Sequence, residues 1–209
     1  QYIYNKFEGQ IDTGKMMFSL LKRVHSLGVK ILNNVKVESY EDLRSSVQIK
    51  TNLFELRAKK LILTTNGFTN SLINADIKPA RAQALITKPI QNLEIKGSFH
   101  MKCGYFYFRN IDQRILLGGG RNLDIEAETT THLMTTQKIQ NELEVLLKEV
   151  ILPGQGYEID HRWSGIMGIG PQKKPLIFQA SECVYVGVRM GGMGVAIGCS
   201  VGKKLSELI

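Results

Sequence analysis

The sequence predicts an α/β protein with an α+β insert, in which two domains share an interleaved chain. Three observations predict it. Leu61-Ile62-Leu63-Thr64-Thr65 is a continuous apolar-to-β-branched run closed by Asn66-Gly67, the pattern of a parallel-sheet strand. After Pro79 the strand-like runs lengthen and are separated by polar turns, as in an antiparallel sheet. Val186-Gly187-Val188-Arg189-Met190-Gly191-Gly192-Met193-Gly194-Val195-Ala196 then reads as a strand that breaks into glycines and reopens as a helix. The expected division is 1–76 and 161–209 for the α/β part, with 77–160 as the mostly antiparallel domain.

The first element opens at Asp12, a good helix cap, and carries Met17, Leu20, Leu21 and Val24 at i, i+3, i+4, i+7 spacing until Gly28 ends it. Residues 29–32 read as a short buried strand. Val35-Lys36-Val37 opens a series of short strands through 47–51 and 54–58, a small antiparallel meander. Residues 61–65 follow as a strand buried on both faces. Further strands are expected at 82–87, 99–103, 105–109 and 115–118. One amphipathic helix places Ile139, Leu143, Leu146, Leu147 and Val150 on one face and stops at Pro153-Gly154. Strands at 159–163, 176–178 and 184–187 lead into the last helix, and Tyr2-Ile3-Tyr4 is strand-like.

Composition bounds the function without naming it. The 209 residues are 43% hydrophobic, enough for a sizeable core in one or two domains. The net charge of +8 could serve nucleic acid, an anionic cofactor or an acidic substrate. The basic residues are spread out, with the pairs Lys59-Lys60, Lys173-Lys174 and Lys203-Lys204 far apart, so a solvated surface is expected and no nucleic-acid partner. Cys103, Cys183 and Cys199 have no C-x-x-C spacing, which fits a reduced cytoplasmic setting. His25, His100, His132 and His161 lack paired ligand spacing, so no metal site is expected. Neither a signal peptide nor an apolar run of about 18 residues is present, so no membrane span is expected.

Gly187, Gly191, Gly192 and Gly194 fall close together. Such a turn leaves backbone N–H groups unshielded at a helix N-terminus, where partial positive charge favours an anion or an electron-rich ring. A tight strand-to-helix turn without a ligand has the same pattern. Beyond it, Gly194, Gly198 and Gly202 recur every fourth residue beside Val201, Leu205 and Leu208, which points to close approach by a strand, a helix or a ligand. Lys203, Lys204 and Glu207 rule out a membrane reading of that spacing.

Other short motifs fall in order along nearly the whole chain: Gly9-Gln10-Ile11-Asp12 before a helix and Leu27-Gly28-Val29, then Pro79-Ala80-Arg81-Ala82-Gln83, Tyr105-Phe106-Tyr107-Phe108-Arg109, Leu117-Gly118-Gly119, and Trp163-Ser164-Gly165 with Pro175 and Ile177. In this order they resemble the FAD-dependent oxidoreductases of the D-amino-acid oxidase, glycine oxidase and sarcosine oxidase type. Leu63-Thr64-Thr65-Asn66-Gly67 is similar to the strand end that passes the flavin, with Phe68-Thr69-Asn70 where the family more often has Trp-Ser. The family's Gly-x-Gly-x-x-Gly turn for the FAD pyrophosphate has no counterpart here. The resemblance therefore implies an incomplete FAD-binding α/β domain interleaved with a substrate domain, a C-terminal fragment whose own FAD affinity is weak or absent.

The resemblance implies FAD near Val37 on the adenine side and near Asn66, Gly67, Gly187, Gly191, Gly192, Met193, Gly194 and Val195 at the ring. It implies hydride transfer from a small molecule, an amino acid, a secondary amine or a 2-hydroxy acid, to the flavin. Tyr105 would orient the substrate with Arg109 as charge partner, and Tyr107, Arg162, Met167 and Met190 complete the substrate side. Met167 stands where glycine-oxidase-like members place a carboxylate-pairing arginine, leaving Arg109, Arg162 or Arg189 as sources of charge. Plainer readings stand beside these. Tyr105 and Tyr107 alternate with Phe106 and Phe108 as core-edge tyrosines do, Arg109 suits a solvated strand end, and Met190 and Met193 suit a core. A non-catalytic binding domain without flavin is the alternative from another class.

Overall fold

Helix α1 (Thr13–Ser26) begins where predicted in the computed structural model, which describes residues 4–7 and 9–209. The strand-like reading of Tyr2 and Ile3 lies outside the described residues. Asp12 caps the helix by accepting from Lys15 N at 3.0 Å, and Gly28 at φ +77° closes it. No residue of α1 is buried, so its apolar stripe of Met17, Leu20 and Leu21 is exposed. The strand expected at 29–32 does not form. Val29 and Leu32 are 52% and 58% exposed and no described strand pairs with them; an apolar run becomes a strand only when its backbone groups find partners.

The meander forms as expected from β1 (Val37–Asp42), β2 (Val47–Thr51) and β3 (Glu55–Ala58), antiparallel in that order. The next strands are β4 (Leu61–Leu63), β5 (Lys78–Thr87), β6 (Ser98–Met101), β7 (Phe106–Ile111), β8 (Arg114–Gly119), β9 (Ile159–Ile169), β10 (Leu176–Ser181) and β11 (Val184–Val188). They build a three-stranded sheet in the order β10-β11-β4 and a five-stranded sheet in the order β6-β7-β8-β5-β9. As the apolar run implied, β4 pairs parallel with β11, Leu61 opposite Val184 and Leu63 opposite Val186. Its burial on both faces is corrected: Leu63 is 2% exposed but Ile62 43%, because only one face is covered.

The chain divides into two compact units: Gln1–Leu32 with Ala84–Gly120 and Gln137–Arg162, and Asn33–Gln83 with Arg121–Thr136 and Trp163–Ile209. Four stretches, 1–32, 77–83, 121–136 and 161–162, group otherwise than a cut at 76 and 160 would have them, and two of them are long. Residues before 33 belong with the first unit, where Gln10 Nε2 donates to Asn110 O and the Arg109 guanidinium to Ile11 O. The 121–136 loop belongs with the second, where Arg81 forks onto Glu128 at 2.9 and 2.7 Å, both side chains almost fully buried.

In the first unit, Leu85, Phe106, Ile115 and Leu117 are buried together with Ile139 and Leu143 of α2 (Gln137–Leu146). That helix loosens into a π turn (Leu147–Ile151) and stops before Pro153 and Gly154. Each fully buried aliphatic side chain here contributes roughly 1.5–3 kcal/mol. The second unit's core is Val47, Ile49, Leu63, Ile77, Cys183, Val184, Val186 and Val188. Asp42 ties the meander to the β10–β11 hairpin by accepting from Ser181 Oγ and from Cys183 N at 2.8 Å. Helix α3 (Gly194–Glu207) buries Val201 and Leu205. The expected close approach on its glycine stripe is corrected: nothing lies within 4 Å of a β-carbon built on Gly198 or Gly202. The tight contact is on the strand instead, where such an atom on Gly187 would sit 2.8 Å from Leu205 Cδ2.

Candidate functional site

A hydrogen-bonded junction in the second unit joins the end of β4 to the end of β11. Asn66 opens a 3-10 turn (Asn66–Ser71) at φ +46°, and its Oδ1 accepts from Arg189 N at 3.1 Å and Met190 N at 3.2 Å. Three glycines make room for this. A β-carbon on Gly67 would lie 2.7 Å from Met167 O, one on Gly168 2.6 Å from Asn66 Oδ1, and one on Gly170 2.6 Å from Arg189 Cδ. Gly191 N then donates to Gly168 O at 3.0 Å, fixing the start of the glycine turn on β9.

Arg189 carries the chain into that turn at φ +65° and is 6% exposed. Its guanidinium donates to Lys174 O at 2.9 Å, Asp76 Oδ2 at 2.9 Å and Asp76 O at 3.1 Å. Gly191 and Gly192 follow in the left-handed region, at φ +58° and +84°, where a side chain would be strained. Space is open beside Gly191, Met167 Sδ lies 3.2 Å from a β-carbon built on Gly192, and Met190 Cβ lies 3.7 Å from one on Gly194. Met193 and Val195 are half exposed. Among the described residues, no backbone hydrogen bond engages the N–H of Gly192 or Gly194, so both point free donors at the N-terminus of α3. Val37 belongs to the same unit, on β1 opposite Thr51.

In the first unit the β7 alternation is as expected. Phe106 is fully buried and Phe108 stacks on Phe99 with centroids 4.5 Å apart, which puts Tyr107 and Arg109 on the other face. The Tyr107 ring lies over Gly118, and burial pushes its phenol above the ordinary range. Tyr105 is 43% exposed; its carbonyl accepts from Gly120 N at 2.9 Å and lies 2.0 Å from where a β-carbon on Gly119 would be. The motif Leu117-Gly118-Gly119 is thus the seat of the two tyrosines. Arg162 is held on α2, donating to Gln140 Oε1 and Glu144 Oε1, both at 2.7 Å. Of the three arginines, Arg162 and Arg189 each meet a carboxylate of the chain itself, whereas among the described residues the Arg109 guanidinium donates to Ile11 O alone.

The second unit therefore gathers Asn66, Gly67, Met167, Met190 and Gly191 to Gly194 in one place, while Tyr105, Tyr107, Arg109 and Arg162 belong to the first. Sequence reasoning missed Asp76, Gly168 and Gly170. The alternation Gly168-x-Gly170 at the end of β9 was the available signal, since glycines in and beside strands mark close approach.

The chain matches the family model described as DAO: FAD dependent oxidoreductase over residues 2–208. It belongs to that family. Comparison with curated protein sequences gives no match. Among solved structures it is similar to L-proline dehydrogenase from P.horikoshii (TM-score 0.75, 20% identity, 93% of this chain and 54% of that one). It is also similar to glycine oxidase from Geobacillus kaustophilus (0.73, 13%, 91% and 52%) and to fructosyl amine: oxygen oxidoreductase (Amadoriase I) from Aspergillus fumigatus (0.71, 15%, 92% and 50%). The chain spans about half the length of these structures, and the likeness establishes the mixed helix-and-sheet fold. The family is FAD-dependent. The residues present fit a flat, electron-rich ring: the turn has open space at Gly191, two free N–H groups and a thioether beside it. No helix among the described residues is long and apolar enough to cross a membrane.

Proposed function

We propose that this chain cups the flavin ring of FAD and helps hold a small amine, amino acid or 2-hydroxy acid for oxidation in a cytoplasmic flavoprotein. The observation that carries the reading is the Asn66 junction, which sets the end of a parallel strand against the glycine turn, the place where open α/β sheets take ligands. FAD, when bound, supplies the hydride acceptor. The chain supplies position and field. The N–H groups of Gly192 and Gly194 offer positive potential to the ring, with Gly67, Gly187, Met193 and Val195 around them and Val37 toward the adenine. Tyr105 orients the substrate by its hydroxyl, and Arg109, with donors beyond the one given to Ile11 O, pairs with substrate charge. Tyr107 walls the substrate side. Arg162 and Arg189, each already paired with a carboxylate of the chain, act as framework, and Met167 and Met190 offer an apolar wall.

The test is an absorbance titration of the full-length gene product with FAD, followed by anaerobic bleaching with D-amino acids, sarcosine-like amines and 2-hydroxy acids. Saturable uptake and bleaching by one class support the reading. A protein that stays colourless with FAD overturns it in favour of a non-catalytic binding domain.

A further inference from the structure

Asn66 does two different things with the two ends of one carboxamide. Its Oδ1 accepts from two consecutive backbone N–H groups, those of Arg189 and Met190. An NH2 group cannot accept, so these two bonds fix which end of the amide faces the turn. The opposite end, Nδ2, makes no hydrogen bond to any described residue. The side chain is half-buried and cannot swing away without leaving both N–H groups unpaired, and its backbone is held at φ +46°. Gly168 contributes to the same rigidity, since only a residue without a β-carbon leaves space for Oδ1.

Resting on the flavin reading above, we infer that Asn66 is both the brace that sets the glycine turn and a fixed donor, through Nδ2–H, to a ring carbonyl oxygen or ring nitrogen of the flavin. A donor whose direction is imposed by bonds at its other end is preorganised, so it loses little freedom when it meets its acceptor. The free N–H groups of Gly192 and Gly194 lie beyond the same turn, so this donor belongs to a set and does not stand alone.

Asn66→Asp separates the two roles. It keeps an oxygen for Arg189 N and Met190 N but replaces the donor with a second oxygen and a negative charge. In the full-length protein we expect an unchanged melting temperature without ligand, FAD binding about tenfold weaker, and a midpoint potential more negative than wild type. A purely structural Asn66 would leave affinity and potential alone, and that result, or a change in substrate KM alone, overturns the proposal while leaving the flavin reading intact. Asn66→Gly, at ease at this φ, removes both ends and should lower the melting temperature as well as FAD affinity. Loss of stability with wild-type FAD affinity overturns the donor role. Failure of the wild-type protein to take up FAD overturns both readings.

Discussion

The hydroxyl of Tyr107 sits 2.7 Å from the point where a β-carbon on Gly118 would be, so the ring of one strand fills the gap left by the glycine of the next. Gly118→Ala must displace that ring and should lower stability by about 1–3 kcal/mol. Tyr107→Phe keeps the ring and should cost under about 1 kcal/mol. The double change Gly118→Ala with Tyr107→Ala should cost less than the sum of Gly118→Ala and Tyr107→Ala measured singly, because the clash exists only when both groups are present. Urea melts of the wild type, the three single variants and the double variant check this; strict additivity would mean that the ring does not occupy the site.

Glu128 and Arg81 are 1% and 3% exposed, and Gln83 Nε2 adds a third donor to Glu128 at 3.0 Å. The spacing Arg81-x-Gln83 is therefore explained by a buried network, since alternate residues of β5 face the same side. Glu128→Ala leaves a buried guanidinium without its carboxylate and should cost about 3–5 kcal/mol. Replacing both partners with apolar residues of similar size should cost much less. Equal losses in the two proteins would contradict the pairing.

Two glycines in similar sequence surroundings should respond in opposite directions. Gly198 lies within α3 with nothing near its missing side chain, so Gly198→Ala should raise stability by about 0.5–1 kcal/mol through helix propensity. Gly187 faces Leu205 on the packed side, so Gly187→Ala should lower it by about 1–3 kcal/mol. Thermal melts of the two variants decide.

Acid should loosen the tie between the meander and the hairpin. The Asp42 carboxyl is held below its ordinary value of 3.8, first by the Ser181 hydroxyl and then by Cys183 N. A carboxylate lowered in this way contributes stability that is fully present above about 3.8 and is lost as pH falls through the still lower folded value. Asp42→Asn should flatten the stability profile in that acidic window and leave its shape near neutral pH unchanged. The readout is denaturant midpoint against pH for both proteins.

The elements legible in the sequence were those whose signal is local: the Asp12 cap, the meander, the α2 stripe and the strand-to-helix turn at 187–194 all rest on residues near each other in the chain. The junction of Asn66 with Arg189 was legible only as two separate glycine-containing turns, because the bond between them spans 123 positions. The strand at 29–32 and the buried face of β4 failed for one reason: hydrophobicity reports what a segment could cover, while the neighbour that covers it lies elsewhere. The partners of the arginines were equally hidden, since Asp76, Gln140 and Glu144 meet Arg189 and Arg162 from other parts of the sequence.

Behind the glycine turn, the supporting residues are closely packed. Gly67, Gly168 and Gly170 are packed so closely against Met167, Asn66 and Arg189 that a side chain at any of the three would displace a neighbour. The Met167 side chain is different, for it meets the turn only through a flexible sulfur. Diversification of this protein, by natural drift or in a laboratory library, has its loosest constraint at that position, and variant collections seeking new reactivity should begin there.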